Sequence, residues 1–218
     1  TKGLDPNVEM KDSGIEWIGE IPKEWQIKRF KYVATIEPCL VNPEKYLTYN
    51  QIAPDSIEKN TGKLTLERTV EEAAVDSWNH FFHKGQIVYS KIRPVLNKLI
   101  IAPYCGLCSA DMYPITAKEN VQFLYYEMLS NFFVNQVALV TRDRIKMPKI
   151  NQEELGNILI VLPPSKIQQQ IADYLDARCS EIDALIADKK KQLDLLADYK
   201  KSLIYEYVTG KKEVPLHE

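Results

Sequence analysis

An uninterrupted segment near the carboxyl end constrains the fold of this chain more than any other feature. Residues 167–208 contain neither glycine nor proline, and Thr209 and Gly210 follow as a helix stop signal. Apolar residues recur in this segment mostly in steps of three, four or seven, which is the spacing of one face of an α-helix. At about 1.5 Å per residue, the pattern predicts a helix of about 60 Å.

The predicted helix follows a pair of prolines, Pro163 and Pro164, where the character of the sequence changes. Ser165 and Gln168 then have capping-box spacing. In a capping box the hydroxyl accepts a free backbone N–H and the amide side chain reaches back to the cap residue. The prolines therefore mark the predicted boundary between the helix and the domain before it.

A helix of this length cannot bury its whole apolar face against the preceding domain. We therefore expect its far part to pair with another helix, in a partner or in a second copy of the chain. Lys189 and Gln192 interrupt the apolar seam, so any coiled coil is expected to be imperfect. The residues that we assign to this pairing are Ile171, Leu175, Ile182, Leu185, Leu196 and Leu203.

The part of the chain before the prolines has the pattern of a mixed α/β domain. Short runs of β-branched and aromatic residues predict strands at 86–89, 98–101 and 157–162. Turn-forming residues predict turns at 60–63, 84–85 and 103–106. Helical spacing over residues 121–140 predicts one or two short helices packed on the sheet. The expected regions are an N-terminal arm (1–14), a mixed α/β domain (15–162) and a helical region (163–218).

Composition is that of a soluble globular protein, with 45% apolar and 27% charged residues. No apolar run approaches the roughly 18 residues of a membrane-spanning helix. The first residues lack the apolar core of a secretory signal. Four cysteines in 218 residues do not make a disulfide scaffold, so we expect a reduced, cytoplasmic protein that does not bind membranes.

Charge is distributed unevenly along the chain. The formal net charge is −2 overall, whereas residues 84–149 carry nine Lys or Arg against four Asp or Glu. A nucleic-acid-binding protein is often basic throughout, so the overall charge argues mildly against this class. The local excess is nevertheless the footprint that a polyanionic partner requires.

Motifs for catalysis or metal binding are weak in this sequence. Residues 105–108 form a C-x-x-C and residues 80–83 an H-x-x-H, which together could supply a tetrahedral zinc site. The His pair is too closely spaced and precedes the Cys pair, so buried thiols and partly exposed imidazoles are the favoured interpretation. The chain contains no G-x-S-x-G, no phosphate-binding P-loop and no G-x-G-x-x-G.

Three features bear on a stand-alone DNA-modifying enzyme, which remains an alternative. Residues 162–165, Leu-Pro-Pro-Ser, are similar to the Asn-Pro-Pro-aromatic motif of amino-group methyltransferases but lack the Asn and the aromatic residue. Pro38-Cys39 is similar to the cysteine motif of cytosine methyltransferases, without a cofactor motif. Carboxylates for a metal-dependent nuclease are present at Asp55 and at Glu71 and Glu72, without a supporting lysine. A helical adaptor protein with incidental basic loops is a further alternative.

Two basic stretches, residues 89–98 and 141–149, are the strongest functional candidates. Each combines cations with a proline that rigidifies the loop, and the second has four cations in eight residues. Lys and Arg neutralise phosphates, while Arg and Asn also bind purine edges in two places at once. The candidate DNA-binding residues are Tyr89, Lys91, Arg93, Asn97, Lys98, Arg142, Arg144, Lys146 and Lys149.

Three parts of the sequence carry a resemblance to one known family. They are residues 10–25 (MKDSGIEWIGEIPKEW), residues 85–94 and 108–114 (GQIVYSKIRP and CSADMYP), and the region from Leu162 to Lys211 with its double proline, Ile171-Ala172, Leu175-Asp176, Ile182-Asp183 and the closing VTGK. The chain resembles the specificity subunit of type I restriction–modification systems, in a half-length form. The Glu-Gln that usually follows the double proline is Ile167-Gln168 or Gln168-Gln169 here.

The resemblance implies a non-catalytic subunit that recognises DNA sequence. A target-recognition domain would read one half of a bipartite site, and the long helix would form an antiparallel coiled coil that sets the distance between half-sites. The implied partners are double-stranded DNA, modification subunits that bind S-adenosylmethionine and methylate adenine, and restriction subunits that use ATP and Mg²⁺. No cofactor is implied for this chain itself. One recognition domain and one helix imply a homodimer or half of a longer subunit.

Overall fold

The computed structural model describes residues 7–214, and the chain divides into two compact units, Thr1–Ala172 and Asp173–Glu218. The predicted boundary at the prolines thus lies before the boundary in the structure. The first turns of the long helix belong to the first unit, because Gln168 is buried and Ile171 packs against the core of that unit. Part of the predicted N-terminal arm, residues 1–6, and residues 215–218 lie outside the described residues.

Strands and helices alternate irregularly through the first unit. Its strands are β1 (Met10–Asp12), β2 (Glu20–Pro22), β3 (Gln26–Arg29), β4 (Ala34–Ile36), β5 (Leu40–Val41), β6 (Asn50–Ile52), β7 (Arg68–Thr69), β8 (Asn79–Phe82), β9 (Ile87–Ser90), β10 (Leu99–Ile101), β11 (Gly106–Cys108), β12 (Met112–Ala117) and β13 (Leu159–Leu162). Its helices are α1 (Phe30–Val33), α2 (Val121–Leu129), α3 (Asn131–Thr141), α4 (Gln152–Asn157) and the start of α5 (Ser165–Val208), with 3₁₀ turns at Pro43–Tyr46, Pro54–Ser56 and Pro94–Leu96.

A four-stranded antiparallel sheet, in the order β10-β9-β12-β4, forms the middle layer of the first unit. Successive side chains of a strand point to opposite faces, and β9 follows this rule with both faces buried. Ile87 and Tyr89 pack with the helices in the main core, whereas Val88 packs in a second core. This burial on both faces explains why β9 reads as a continuous apolar run.

A five-stranded sheet, in the order β5-β8-β11-β6-β7, contributes to the second core. Its β11–β6 pair is parallel and its other pairs are antiparallel. Gly106 stands where strands and side chains approach closely, because a Cβ there would lie 2.3 Å from the Asn50 carbonyl oxygen. The second core is small, and its buried members are Ile52, Ile57, Phe82, Val88, Ile100, Ala102, Cys108 and Met112.

The main core lies between the four-stranded sheet, the short helices and the β13–β3 pair. The prediction of one or two helices over residues 121–140 is confirmed, with two helices separated at Ser130. Asn120 and Ser130 cap them, since their side chains accept the backbone N–H groups of Phe123 and Phe133. The mixed α/β fold is therefore confirmed.

Predicted strands agree with the structure except at their ends. Residues 86–89 and 98–101 correspond to β9 and β10, but only Leu159–Leu162 of the predicted strand 157–162 is extended. Asn157 ends α4 instead, whose capping box is formed by Asn151 and Glu154. Met10–Asp12 pairs with β2, so this part of the predicted N-terminal arm is integrated into the first unit.

The predicted long helix is confirmed as α5, of 44 residues. The predicted capping box is wrong, because a helix that begins at Ser165 places Pro164 at the cap, and proline has no N–H for Gln168 to bind. The Gln168 amide instead accepts the N–H of Asn120 at 3.1 Å and donates to the Pro163 carbonyl at 2.9 Å. At the other end, Gly210 has a φ of +70°, the left-handed turn that its predicted stop role requires.

The second unit is the remainder of α5 with the residues that follow it. Ile182, Leu185 and Leu196, three of the predicted pairing residues, are exposed on this helix, and Leu175 and Leu203 are half-buried. Ile171 contacts the core of the first unit, so we leave it out of the pairing seam. Among residues 7–214, no helix is long and apolar enough to cross a membrane.

Candidate nucleic-acid interface

The two basic stretches lie side by side in the first unit. Ile92 and Lys149 form an antiparallel bridge, and the backbone N–H of Arg93 donates to the Pro148 carbonyl at 2.7 Å. On the other side of the bridge, the Ile150 N–H donates to the Lys91 carbonyl at 2.9 Å. Segments about 50 residues apart in the sequence are thus joined through their backbones into a single basic surface.

Asp111 fastens both stretches to the turn between β11 and β12. Its carbonyl accepts the backbone N–H of Lys91, and its carboxylate pairs with the Lys149 ammonium at 2.9 Å. The Lys91 ammonium lies 5.2 Å from the ring centroid of Tyr113, within cation–π range. Lys91 and Lys149 therefore have partners in their own chain, and both keep part of their surface exposed.

Arg144 holds the second stretch against α4. Its guanidinium binds both carboxylate oxygens of Glu154 and also donates to the Lys149 carbonyl. The hydrogen bond from Arg144 lowers the pKa of Glu154, with burial opposing the shift. Glu154 accepts the Asn151 N–H as well, so the pair connects the loop to the capped end of α4. The charge of Arg144 is largely committed to this contact.

Three other cations on the surface are free to meet a ligand. Arg93, Arg142 and Lys146 are exposed. Arg142 approaches Asp143 at 3.5 Å, but both side chains are solvated and such a pair contributes little. These three side chains give the surface its accessible positive charge, whereas Arg144 and Lys149 shape the loop that carries them.

Unusual backbone conformations are concentrated at this surface. Among residues 7–214, five non-glycine residues have positive φ, and Arg93, Asn97 and Met147 lie in the two stretches. A fourth, Asn60, donates its backbone N–H to the carbonyls of Leu96 and Asn97. Left-handed backbone is unfavourable for residues with a Cβ, and it persists where surrounding contacts determine it.

Two predicted DNA-binding residues are buried, and we remove them from the candidate surface. Tyr89 is fully buried in the main core, where its ring meets Phe133 edge-on at 6.1 Å. Asn97 is buried in a left-handed turn, and its amide donates to the Met128 carbonyl at 3.0 Å. A buried side chain cannot reach a ligand at the surface. We therefore assign both residues a structural role beneath the loop.

Lys98 is also engaged within the chain. Its ammonium donates a hydrogen bond to the Pro54 carbonyl, and the residue is half-buried. Lys98 lies immediately before β10, and its side chain reaches the 3₁₀ turn at Pro54–Ser56. Lys98 adds positive charge near the stretch but is held in place by a partner of its own.

The residues of the alternative catalytic and metal sites are spread out or engaged. Cys108 and His80 are buried on paired strands, whereas Cys105 and His83 are exposed. Among residues 7–214, no group of three or more His, Cys, Asp or Glu side chains is arranged to hold a metal ion.

The carboxylates considered for a nuclease have local partners. Asp55 pairs with Arg68 at 3.2 Å. Glu72 accepts the backbone N–H of Thr69, and this bond lowers the pKa of Glu72. These contacts give both carboxylates a structural role in the loops around β7.

Sequence reasoning missed Asp111 and Glu154, the two acidic anchors of the surface. Asp111 lies in one of the stretches that carry the family resemblance, but nothing in the stretch indicated its contact with Lys149. Glu154 shows a local signal, because it forms a capping box with Asn151, but its pairing with Arg144 depends on the tertiary fold. Spacing along the chain does not reveal either ion pair.

Comparisons with known proteins agree on one family. Residues 22–195 match the family model described as type I restriction modification DNA specificity domain. The EcoDI specificity subunit of Escherichia coli is 41% identical over 165 residues, covering 76% of this chain and 37% of that protein. The MjaVIII specificity subunit of Methanocaldococcus jannaschii is 27% identical, covering 98% of this chain and 52% of that protein.

Solved structures share the fold of this chain. The HsdS subunit from Thermoanaerobacter tengcongensis aligns with a TM-score of 0.63 at 23% identity, over 81% of this chain and 48% of that one. A chain from a study of assembly and conformational transition in a type I R-M system aligns with a TM-score of 0.65 at 20% identity, over 91% and 52%. This chain thus spans about half the length of these structures, and it spans 37% of the length of the EcoDI subunit. With the family model matching most of its length, the chain belongs to the type I restriction–modification DNA specificity family.

Proposed function

We propose that this chain reads one half of a bipartite DNA site as the specificity component of a type I restriction–modification complex. The observation that carries the proposal is the joining of two basic stretches into one surface with Arg93, Arg142 and Lys146 exposed. Relatives about twice as long support the half-site interpretation, since one recognition unit is present here.

The surface is suited to a duplex because its charge is displayed on a braced framework. Exposed cations neutralise phosphates and release counterions, which supplies affinity for any sequence. Arg93 is the candidate for base recognition, since a guanidinium binds a guanine edge in two places at once. Its left-handed backbone and the hydrogen bond from its N–H to the Pro148 carbonyl hold the start of the side chain in place. This reduces the conformational entropy lost on binding.

The helix α5 would pair with a second long helix in an antiparallel coiled coil. Ile182, Leu185 and Leu196 expose an apolar seam at heptad-like spacing, and such a seam is stable in water only when covered. A second copy of this chain is the proposed occupant, giving a homodimer. Two identical recognition units related by a two-fold axis would read a palindromic site.

The chain is proposed to be non-catalytic and to act in the cytoplasm. Modification subunits would dock on it, bind S-adenosylmethionine and methylate adenine within the site. Restriction subunits would join the same complex and use ATP and Mg²⁺. No cofactor is assigned to this chain, and its role is to place the catalytic subunits on the DNA.

The test begins with methylome sequencing of cells that carry this chain with its modification subunits. We expect one methylated motif made of two half-sites with a fixed spacer. Duplexes with this motif are then titrated with the complex containing Arg93→Gln or Lys146→Gln, and with Lys45→Gln as the control from an exposed turn elsewhere.

A phosphate contact and a base contact predict different results. Loss of a phosphate contact weakens binding to all sequences and lowers the salt slope by about 1, whereas loss of a base contact costs about 1–3 kcal/mol on the cognate site alone. The Lys45 variant should bind like the unmodified protein. Absence of a motif, or full binding by both surface variants, contradicts the proposal.

A further inference from the structure

The basic surface also presents apolar side chains to solvent. Ile145 is 96% exposed and Met147 is 52% exposed, and they alternate with Arg144, Lys146 and Pro148 along the chain. Single exposed apolar residues are common on proteins and need no explanation. Here two exposed apolar side chains lie at the tip of a loop that also carries the accessible cations. The tip therefore presents apolar and positively charged surface side by side.

This tip is closed at its base. The Arg144 guanidinium donates to the Lys149 carbonyl, so residues 145–148 form a small loop between two joined ends. Glu154 binds Arg144 from one side and Asp111 binds Lys149 from the other. The tip is therefore supported by two ion pairs and by the bond between Arg93 and Pro148.

The backbone within the tip is strained as well. Met147 has a φ of +46°, a left-handed conformation that a residue with an unbranched side chain adopts only when its surroundings impose it. Strained residues of this kind are concentrated at sites that bind ligands. A loop that only had to carry charge would not require apolar residues at its tip or a left-handed residue beside them.

Charge complementarity identifies the occupant of the tip. Lys146 and Arg142 require anionic partners, and the apolar residues require a surface that water leaves readily. Duplex DNA supplies both, with phosphates outside and stacked bases inside. Proteins that insert Ile, Leu or Met between base steps unstack the step and kink the duplex while cations hold the backbone.

We propose that Ile145, with Met147 beside it, acts as an apolar wedge that opens a base step within the half-site. The wedge makes recognition depend on the energetic cost of unstacking that step. This cost is lowest for pyrimidine–purine steps. It would contribute specificity at a position where no side chain binds a base edge. This inference rests on the proposed function, because it requires that the surface meets DNA.

The test uses the assembled complex and duplexes of its methylome-derived motif, with 2-aminopurine placed at each half-site position in turn. Unstacking raises the fluorescence of this base analogue. We expect a rise at one step away from the methylated adenine, and Ile145→Gln should abolish most of that rise at saturating protein. The salt slope of binding should stay unchanged in this variant, because its cations remain.

Two controls separate the wedge from the charge of the surface. Lys146→Gln should lower the salt slope by about 1 but retain the fluorescence rise at saturating protein. Leu47→Gln, at an exposed apolar residue in another loop, should change neither readout.

The outcomes distinguish the two proposals. Normal motif recognition without any such rise, or with a rise that Ile145→Gln leaves intact, overturns the wedge and leaves the proposed function standing. Loss of modification-subunit binding in Ile145→Gln also overturns it, because the tip would then face a protein. A complex that does not bind DNA overturns both.

Discussion

Glu127 provides a quantitative test of the fold through the pH dependence of stability. Its carboxyl group lies on α2 against β13, where it accepts the backbone N–H of Val161 at 3.2 Å. Burial raises the pKa of Glu127 from 4.5 to about 7, and the hydrogen bond from Val161 opposes this only in part. The folded protein therefore holds a proton that the unfolded chain has released at neutral pH.

The sign of the effect follows from this difference. Below pH 4.5 the group is protonated in both states and does not penalise the fold. Between pH 4.5 and about 7 the unfolded chain releases its proton first, so the free energy of unfolding falls as pH rises. Above pH 7 the penalty is complete, and at 1.36 kcal/mol for each pKa unit it amounts to about 3 kcal/mol.

The substitution Glu127→Gln should remove this penalty. The amide retains an oxygen for the Val161 N–H and carries no charge to desolvate. We expect the variant to be more stable than the unmodified chain at pH 8, by up to about 3 kcal/mol, and similar to it near pH 4.5. The assay is urea unfolding at fixed protein concentration, monitored by tryptophan fluorescence, because all three tryptophans lie in the first unit.

A matched variant guards against a general charge effect. Glu16→Gln removes an exposed carboxylate from the same unit and should not give the stabilisation expected of Glu127→Gln at pH 8. Equal stabilisation by both variants would refute the assignment of the effect to burial. A stability difference for Glu127→Gln that does not change between pH 4.5 and 8 would refute the linkage itself.

Two further substitutions test the packing of each unit. Gly106→Ala should lower the free energy of unfolding by about 1–3 kcal/mol, because its Cβ would lie 2.3 Å from the Asn50 carbonyl oxygen and 2.8 Å from the Phe82 ring. Gly156→Ala is the control in the same unfolding assay, since the nearest neighbour of its Cβ would be at 3.4 Å. Equal losses of stability in the two variants would contradict the reasoning. Leu196→Glu should weaken a homodimer at least about 100-fold in sedimentation velocity, since each copy loses an apolar contact of roughly 1.5–3 kcal/mol. Leu195→Glu changes a residue that is at least as exposed but off the seam. Comparable weakening by both variants, or a chain that is monomeric from the start, would contradict the pairing proposal.

The local patterns of the sequence predicted α5, the helices over residues 121–140 and three of the strands, and left the other strands unpredicted. The absence of Gly and Pro together with helical spacing correctly predicted α5, and β-branched runs located β9 and β10. These features are visible because propensity and periodicity act over neighbouring residues. The capping box was wrong because the helix starts one residue earlier than a cap at Ser165 would require, which puts a proline at the cap.

Reading the candidate site from the sequence was less successful at individual side chains. The two basic stretches were recognised from their composition, and Arg93, Arg142 and Lys146 remain exposed candidates. Tyr89 and Asn97 were included because they stand among cations, but one faces the main core and the other is tied to α2. Whether a residue in such a stretch faces solvent depends on the layers packed on both sides of its strand.

The sequence by itself determined the family, the long helix and the location of the basic stretches, because each depends on residue types at short spacing. Tertiary structure alone decided that the stretches meet at the bridge between Ile92 and Lys149, and that Asp111 and Glu154 anchor them. Contacts between residues far apart in the chain form only when the sheets and helices pack. The fold therefore separates cations that brace the loop from cations that remain exposed to solvent.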